Sequence, residues 1–492
     1  MIRRHRICSL YLLLLLIMVL SPVNDRAEAA EELRIYDSTV TFRHFQFTLD
    51  DHNQIKTYDD QKIVETVFPT KVIESSILKV TLLPSYGGRI LSIIYKPTGH
   101  ELLYQNPVGT PYAIGSGAFY YNWLMVYGGI FPTFPEPEHG KAWGLPWDFK
   151  IVEQTSEKIS VEMRFTDNIA PAGTVPAYKF NNGRTDLTCI ATVTVYRQRS
   201  DLQLNIRLVN AKDQPVKYEY WTCTTLAPGS DPGTPMSPVE TEIVAPLSQV
   251  KLMDDAWPWM GLAEDEINFA HHTFCFKNLA HFENWKGAGI AYASPYMEGN
   301  WWGVINHRNE EGILRIAENA RFTPGLKLWT WGLRNSFAGK PEQFGDSRRP
   351  YIELWAGNSK QFFTDAVMKP NETKDWDEFY LPTVGLSEIT EANRYAAVHL
   401  EIDRAKQHIR FRAAVFSTEP GRALKAVLWL NGKKPVRLAE ESFAADPKTA
   451  NRFKVDIGND QIPGDTSEYR LTLSSDEGKV LLETGIPFKV NK

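Results

Sequence analysis

From residue 158 to residue 227 the chain alternates apolar and polar side chains with period two, run after run. Only β-strands with one buried face satisfy that period. The runs are KISVEMRF (158–165), DLTCIATVTVYR (186–197), LQLNIRLVN (202–210) and VKYEYWTCTTLA (216–227), all rich in β-branched and aromatic residues. Turn chemistry separates them at Asn181-Asn182-Gly183, Asp213-Gln214-Pro215, Pro228-Gly229 and Asp231-Pro232-Gly233. No long, capped helix pattern interrupts the series. Short strands in close succession call for stacked antiparallel sheets rather than alternating βαβ units.

A boundary is expected near residues 380–395. After FYLPTVGLSEIT the chain restarts with AVHLEIDRAKQHIRFRAAVFS, ALKAVLWLNGKKPVRLA, RFKVDIG and EYRLTLSSDEGKVLLETGIPFKV, with Asn431-Gly432 and Glu477-Gly478 as turns. About seven strands in roughly 100 residues fit a small Ig-like β-sandwich over 390–492. At the other end, Arg3, Arg4 and Arg6 precede the apolar run LYLLLLLIMVL (10–20), and Ala27-Glu28-Ala29 offers small residues for cleavage. This pattern predicts a signal peptide over 1–29 and an exported mature chain from about Ala30; an uncleaved anchor is the alternative. Residues 30–59 read as an extension packed on the main domain.

Charge and cysteine content exclude several classes. Removing the leader, which carries +2, from a chain of net charge −5 leaves about −7, with no basic run to hold nucleic acid. No second apolar stretch of spanning length follows. Cys189, Cys223 and Cys275 are too few and too widely spaced for a disulfide framework or a zinc ribbon, though one bridge is open. No phosphate-binding glycine loop, nucleophile elbow or zinc helix motif is present, so no cofactor and no metal is expected. His271 and His272 would point to opposite faces of a strand and cannot share a metal.

Two stretches point to chemistry. In RRPYIELWAGN (348–358) period two puts Tyr351, Glu353 and Trp355 on one face: either a ligand-facing acid between aromatics or a buried, hydrogen-bonded structural carboxylate. GGIFPTFPEPEHGKAWGLPWDF (128–149) is an irregular aromatic segment with His139 at its centre and Glu136, Glu138 and Asp148 as further carboxylates. Aromatics make up 12% of the chain, with fourteen Trp, and such rings either stack on sugar C–H faces or fill large sandwich cores.

LKVTLLPSYGGRILSIIYKPTGHELLY resembles the opening of galactose-mutarotase-like (aldose 1-epimerase-like) domains, and GGIFPTFP, PGLKLWTWG and PYIELWAG resemble the bacterial DUF5107 branch. The resemblance spans about residues 60–384 and implies an all-β fold: a large antiparallel β-supersandwich followed by the small C-terminal sandwich. It also implies a carbohydrate ligand. By similarity Glu353 is the catalytic base and His139 an assisting group; Trp143, Trp147, Tyr351, Trp355 and Trp221 line the sugar pocket. Arg89 either binds a sugar hydroxyl or carboxylate, or pins the glycine corner. The mutarotase acid is a histidine on a middle strand. The corresponding strand here has Trp221, Thr222 and Cys223 and no histidine. Epimerisation, glycosidic hydrolysis with a second carboxylate, and elimination on a uronate all remain open, as does non-catalytic binding. His281, Glu283, Trp285, Trp301, Trp302 and His307 are further candidates; Trp301 and Trp302 would face opposite ways on a strand, and His307 reads as a hairpin turn.

Overall fold

The computed structural model describes residues 33–51, 55–111, 123–136, 140–169, 184–235, 238–252, 273–285, 289–330 and 351–488. The leader expected over 1–29, together with Glu138, His139, His271 and His272, lies outside them. Residues Leu33–Lys492 form one compact unit.

The fold is all-β and its strand ladders are antiparallel. Among the described residues one sheet has twelve strands and a second has eight. The central strands of the larger sheet run in the order His100–Leu103, Trp221–Ser230, Ile352–Gly357, Gly325–Thr330, Gly289–Ala293 and Gln249–Leu252, with Gly129–Thr133 also pairing with Trp221–Ser230. The eight-stranded sheet holds the alternating runs that define the sequence. Across it Val161, Val193, Leu204 and Glu378 stand opposite one another and share the inner face. The main core lies between the two sheets and takes Leu326, Leu328, Ile352 and Leu354 from the larger one and Val161, Val193, Leu204 and Ile206 from the smaller.

One polar network sits inside that core. The Glu378 carboxylate accepts from Arg315 Nε (2.9 Å), Trp376 Nε1 (3.0 Å), Tyr380 Oη (2.9 Å) and Thr222 Oγ1 (2.9 Å). Thr222 belongs to the larger sheet, so the network joins both layers. Burial alone would push the Glu378 carboxyl up, but the Arg315 guanidinium and these donors hold it below the usual carboxylate range.

The N-terminal residues are not an appended extension. Arg34–Leu49 and Ile55–Glu74 form a long hairpin whose second strand pairs with Leu78–Leu83, so the hairpin is the edge of the twelve-stranded sheet and crosses the expected boundary at 59/60. After the main sheets, residues 391–487 form two four-stranded sheets, eight strands in all, with a core of their own that includes Phe411, Leu428, Leu471 and Phe488. Ala392, Ala397, Ala414, Phe416 and Ala450 belong instead to the main core.

Candidate functional site

The face of the larger sheet that turns away from the main core is set by register. Opposed residues of antiparallel strands share a face, and every second residue returns to it. One row across five strands therefore reads Ile290, Trp329, Glu353, Thr225 and Gly129; the next reads Tyr292, Lys327, Trp355, Cys223 and Phe131. Ile90 stands opposite Ile130, and both belong to the main core, so the preceding Arg89 falls on the face of Gly129 and Phe131. Strands remote in sequence thus bring Arg89, Lys327 and Glu353 to one surface.

That surface is a dense aromatic cluster. Tyr104, Tyr127, Phe131, Trp143, Trp221, Cys223, Tyr292, Tyr351, Trp355 and Phe362 form it, with Trp329 packed against them and partly exposed. Tyr351 meets Tyr104, Tyr127 and Trp329 edge-on at centroid distances of 4.7, 5.8 and 5.7 Å. Trp221 and Trp355 meet Phe362 in the same way at 5.0 and 5.2 Å. Trp221 can lie against the sheet because Gly357 is opposite it: a Cβ there would collide with the indole carbons.

Glu353 is 7% exposed. Its Oε1 accepts from Tyr351 Oη and its Oε2 from Trp355 Nε1 at 2.8 Å, so its two neighbours on the same strand face orient the carboxylate. Burial raises the Tyr351 phenol well above its ordinary range, and the Glu353 charge adds to this, so the proton stays on the tyrosine and the bond is a donated one. Burial, and then Glu353, likewise raise the Cys223 thiol, which is neutral at physiological pH. Lys327 Nζ lies 3.8 Å from the Trp355 ring centroid and 4.3 Å from that of Phe362.

Arg89 is fully buried. Its guanidinium carbon lies 3.8 Å from the Phe131 centroid and 5.8 Å from Trp143, and Nη1 donates to the Gly128 carbonyl. Burial lowers its pKa to about 10, opposed by the nearby Tyr86, Cys223, Tyr351 and Glu353, so the group is still charged at neutral pH.

Of the residues expected at a pocket, Arg89, Trp143, Trp221, Tyr351, Glu353 and Trp355 meet around this face. Trp147 does not. It lies in the main core, stacked on Phe165 at 5.7 Å with its indole N–H given to Ala142 O at 2.9 Å. Four residues separate it from Trp143, but the short 3-10 turn Lys141–Gly144 and the glycine corner part them: the Trp143 backbone passes over Gly87, and the Trp147 ring covers Gly88. Asp148 is exposed on an edge strand of the eight-stranded sheet. Glu136 is buried beside the ion pair Lys141–Asp167 (2.5 Å). His281 and His307 both face Glu242, with His307 Nε2 2.7 Å and His281 Nε2 3.8 Å from its carboxylate oxygens. His307 opens the turn between Trp301–Asn306 and Glu311–Ile316. Trp285, Trp301 and Trp302 are core residues, and Glu283 lies in the short turn Phe282–Asn284.

Sequence reasoning overlooked Lys327 and Trp329. Period two in LKLWT places both on the Glu353 face, as it does Tyr351 and Trp355 in YIELW. Among the described residues no cluster of His, Cys, Asp and Glu suits a metal ion, and no helix is long and apolar enough to cross a membrane.

Residues 54–205 match the family model "Domain of unknown function (DUF5107)". The resemblance to DUF5107 read from the sequence is borne out over that stretch, which includes Arg89 and Trp143 and ends before the strand that carries Glu353. Among solved structures the chain is similar to a TPR-domain containing protein from Parabacteroides distasonis ATCC 8503, with a TM-score of 0.54 and 16% identity over 74% of this chain and 57% of that one. The likeness is one of fold, and the chain spans 57% of the length of that structure. It is also similar to the Slr1438 protein from Synechocystis sp. PCC 6803 (TM-score 0.44, 13% identity, 64% of this chain and 96% of that one). A galactose mutarotase-like protein from Lactobacillus casei ATCC 334 shows comparable similarity (TM-score 0.41, 12% identity, 64% and 99%).

Proposed function

We propose that this is a carbohydrate-active protein that receives a sugar or oligosaccharide against the aromatic face around Glu353, with Glu353 handling a hydroxyl proton. The observation that carries the reading is the carboxylate held by Tyr351 and Trp355 within a wall of rings, beside Trp329, Lys327 and Arg89. Aromatic faces suit the apolar C–H faces of a sugar, and a fixed carboxylate suits proton transfer to or from a hydroxyl. Of the carboxylates considered for hydrolysis, Asp148 is exposed on an edge strand and Glu136 is engaged beside Lys141 and Asp167, while Glu138 lies outside the described residues.

A second reading, non-catalytic saccharide binding, is favoured by one observation. Both Glu353 oxygens already accept hydrogen bonds from Tyr351 and Trp355, so the protein itself satisfies the carboxylate. An oligosaccharide panel scored for binding by calorimetry and for turnover by NMR separates the two. For an enzyme, Glu353→Gln should lower turnover by roughly 10²-fold while affinity changes little. Binding without turnover in the native protein would leave the second reading, and no binding by any saccharide would end both. The proposal includes export through the leader over residues 1–29. Mass spectrometry of exported protein should find an N-terminus near Ala30, and retention of Arg3 or Arg4 would refute that part.

A further inference from the structure

The most unusual group on the aromatic face is Arg89. Two other fully buried cations among the described residues sit against carboxylates: Arg315 against Glu378 at 2.9 Å and Lys141 against Asp167 at 2.5 Å. Arg89 is just as buried, yet among the described residues its Nε and Nη2 have no hydrogen-bond partner, while Nη1 is engaged by the Gly128 carbonyl. A buried charge is normally paired, because leaving it unpaired forfeits its hydration without replacement.

The identity of the two idle nitrogens matters. In a guanidinium the Nε–H and the adjacent Nη2–H point the same way and form a parallel two-donor edge, one of the two edges that match the two oxygens of a carboxylate, the other being Nη1/Nη2. Nη1, the nitrogen on the other side, is the one that pins the corner to Gly128. The structural duty of Arg89 therefore leaves this carboxylate-matching edge unused. The guanidinium lies over Phe131 and beside Trp143, on the sheet face of Glu353. Glu353 itself is oriented by Tyr351 and Trp355, and Glu219 accepts from Trp221 Nε1 at 3.3 Å.

We propose that the Nε/Nη2 edge of Arg89 receives the carboxylate of an acidic sugar, so that the site takes uronic acids or uronate-containing saccharides rather than neutral ones. This rests on the reading of the aromatic face as a saccharide site and narrows it to one substrate class. The ligand carboxylate is bidentate on Arg89, and the sugar ring extends from there along the face that carries Glu353 and Trp329.

The test is a matched comparison by calorimetry on the full chain: galacturonate and glucuronate, and their short oligosaccharides, against galactose, glucose and their neutral oligosaccharides, with glucose 6-phosphate as a further arm. The native protein should bind the uronate member of each pair at least ~10-fold more tightly, as expected for a charge-assisted bidentate contact. Arg89→Gln should erase the preference. Arg89→Lys, which keeps the charge but lacks the fork, should lose most of it. Equal affinity for neutral and acidic partners in the native protein would overturn the proposal while leaving the saccharide site standing. Tighter binding of the phosphate ester than of the uronates would overturn the carboxylate assignment. Failure of every saccharide to bind would end the underlying reading as well. The native comparison needs no variant, so it decides the matter even if Arg89→Gln does not fold.

Discussion

At the scale of single residues, burial changes which side chains are useful probes. Trp143 is 1% exposed and packed edge-on against Tyr86, so Trp143→Ala empties a filled core position. It should cost about 3–5 kcal/mol of stability, measured by denaturant unfolding, and any loss of ligand affinity would be secondary to that. Trp329 is partly exposed and stands opposite Glu353. Trp329→Ala should weaken saccharide binding by about 1–3 kcal/mol with a smaller effect on stability; unchanged affinity would remove it from the site. Glu136 offers a pH test. Burial pushes its carboxyl up to about 8, with Lys141 opposing and Asp167 adding to the rise. The folded state therefore keeps a proton that the unfolded chain releases near 4.5, and stability should fall as pH rises from about 4.5 to 8. Unfolding midpoints at pH 5 and pH 8 should differ for the native protein, with the difference reduced in Glu136→Gln; identical pH slopes for the two proteins would rule this out.

At the scale of elements, the two large sheets are joined by more than apolar packing. Glu378 stands on the eight-stranded sheet and accepts from Thr222 of the larger one, with Arg315 as its counter-charge. Arg315→Met should leave a buried carboxylate uncompensated and cost about 3–5 kcal/mol, whereas Arg315→Met combined with Glu378→Leu should recover much of the loss. Double-mutant unfolding curves measure this, and additive losses would contradict the pairing. The glycine corner is a second element-level device. Gly88 has φ 55° and a Cβ there would lie 2.5 Å from Trp147 Cδ2. Gly88→Ala should therefore be destabilising both by its backbone conformation and by overpacking, by roughly 1–3 kcal/mol.

At the scale of the whole molecule, the C-terminal eight strands have a core of their own but also complete the main one. Phe416 and Ala450 pack in the main core, Tyr95 Oη donates to the Pro447 carbonyl at 2.5 Å, and Arg452 pairs with Glu310 at 2.9 Å. A chain ending near residue 388 should expose this surface and melt at a lower temperature than the full chain by calorimetry. An unchanged melting temperature would mean that the two parts are energetically separate.

What the sequence by itself determined was everything that local periodicity and turn chemistry control. Period two defined the strands and the all-β class, and it put Tyr351, Glu353 and Trp355 on one face, because alternation is a property of the backbone alone. The glycine corner was legible because Gly-Gly before a strand marks close approach. The tertiary structure decided which faces meet. Arg89 and Glu353 are 264 positions apart, and only register across Gly129–Thr133 and Trp221–Ser230 puts them on one surface. Trp143 and Trp147 look alike in sequence, yet one joins the aromatic face and the other the main core, because the loop folds onto Gly87 and Gly88 from a distant part of the chain. Strand register is set by the sum of many weak cross-strand contacts, and no short stretch of sequence contains that sum.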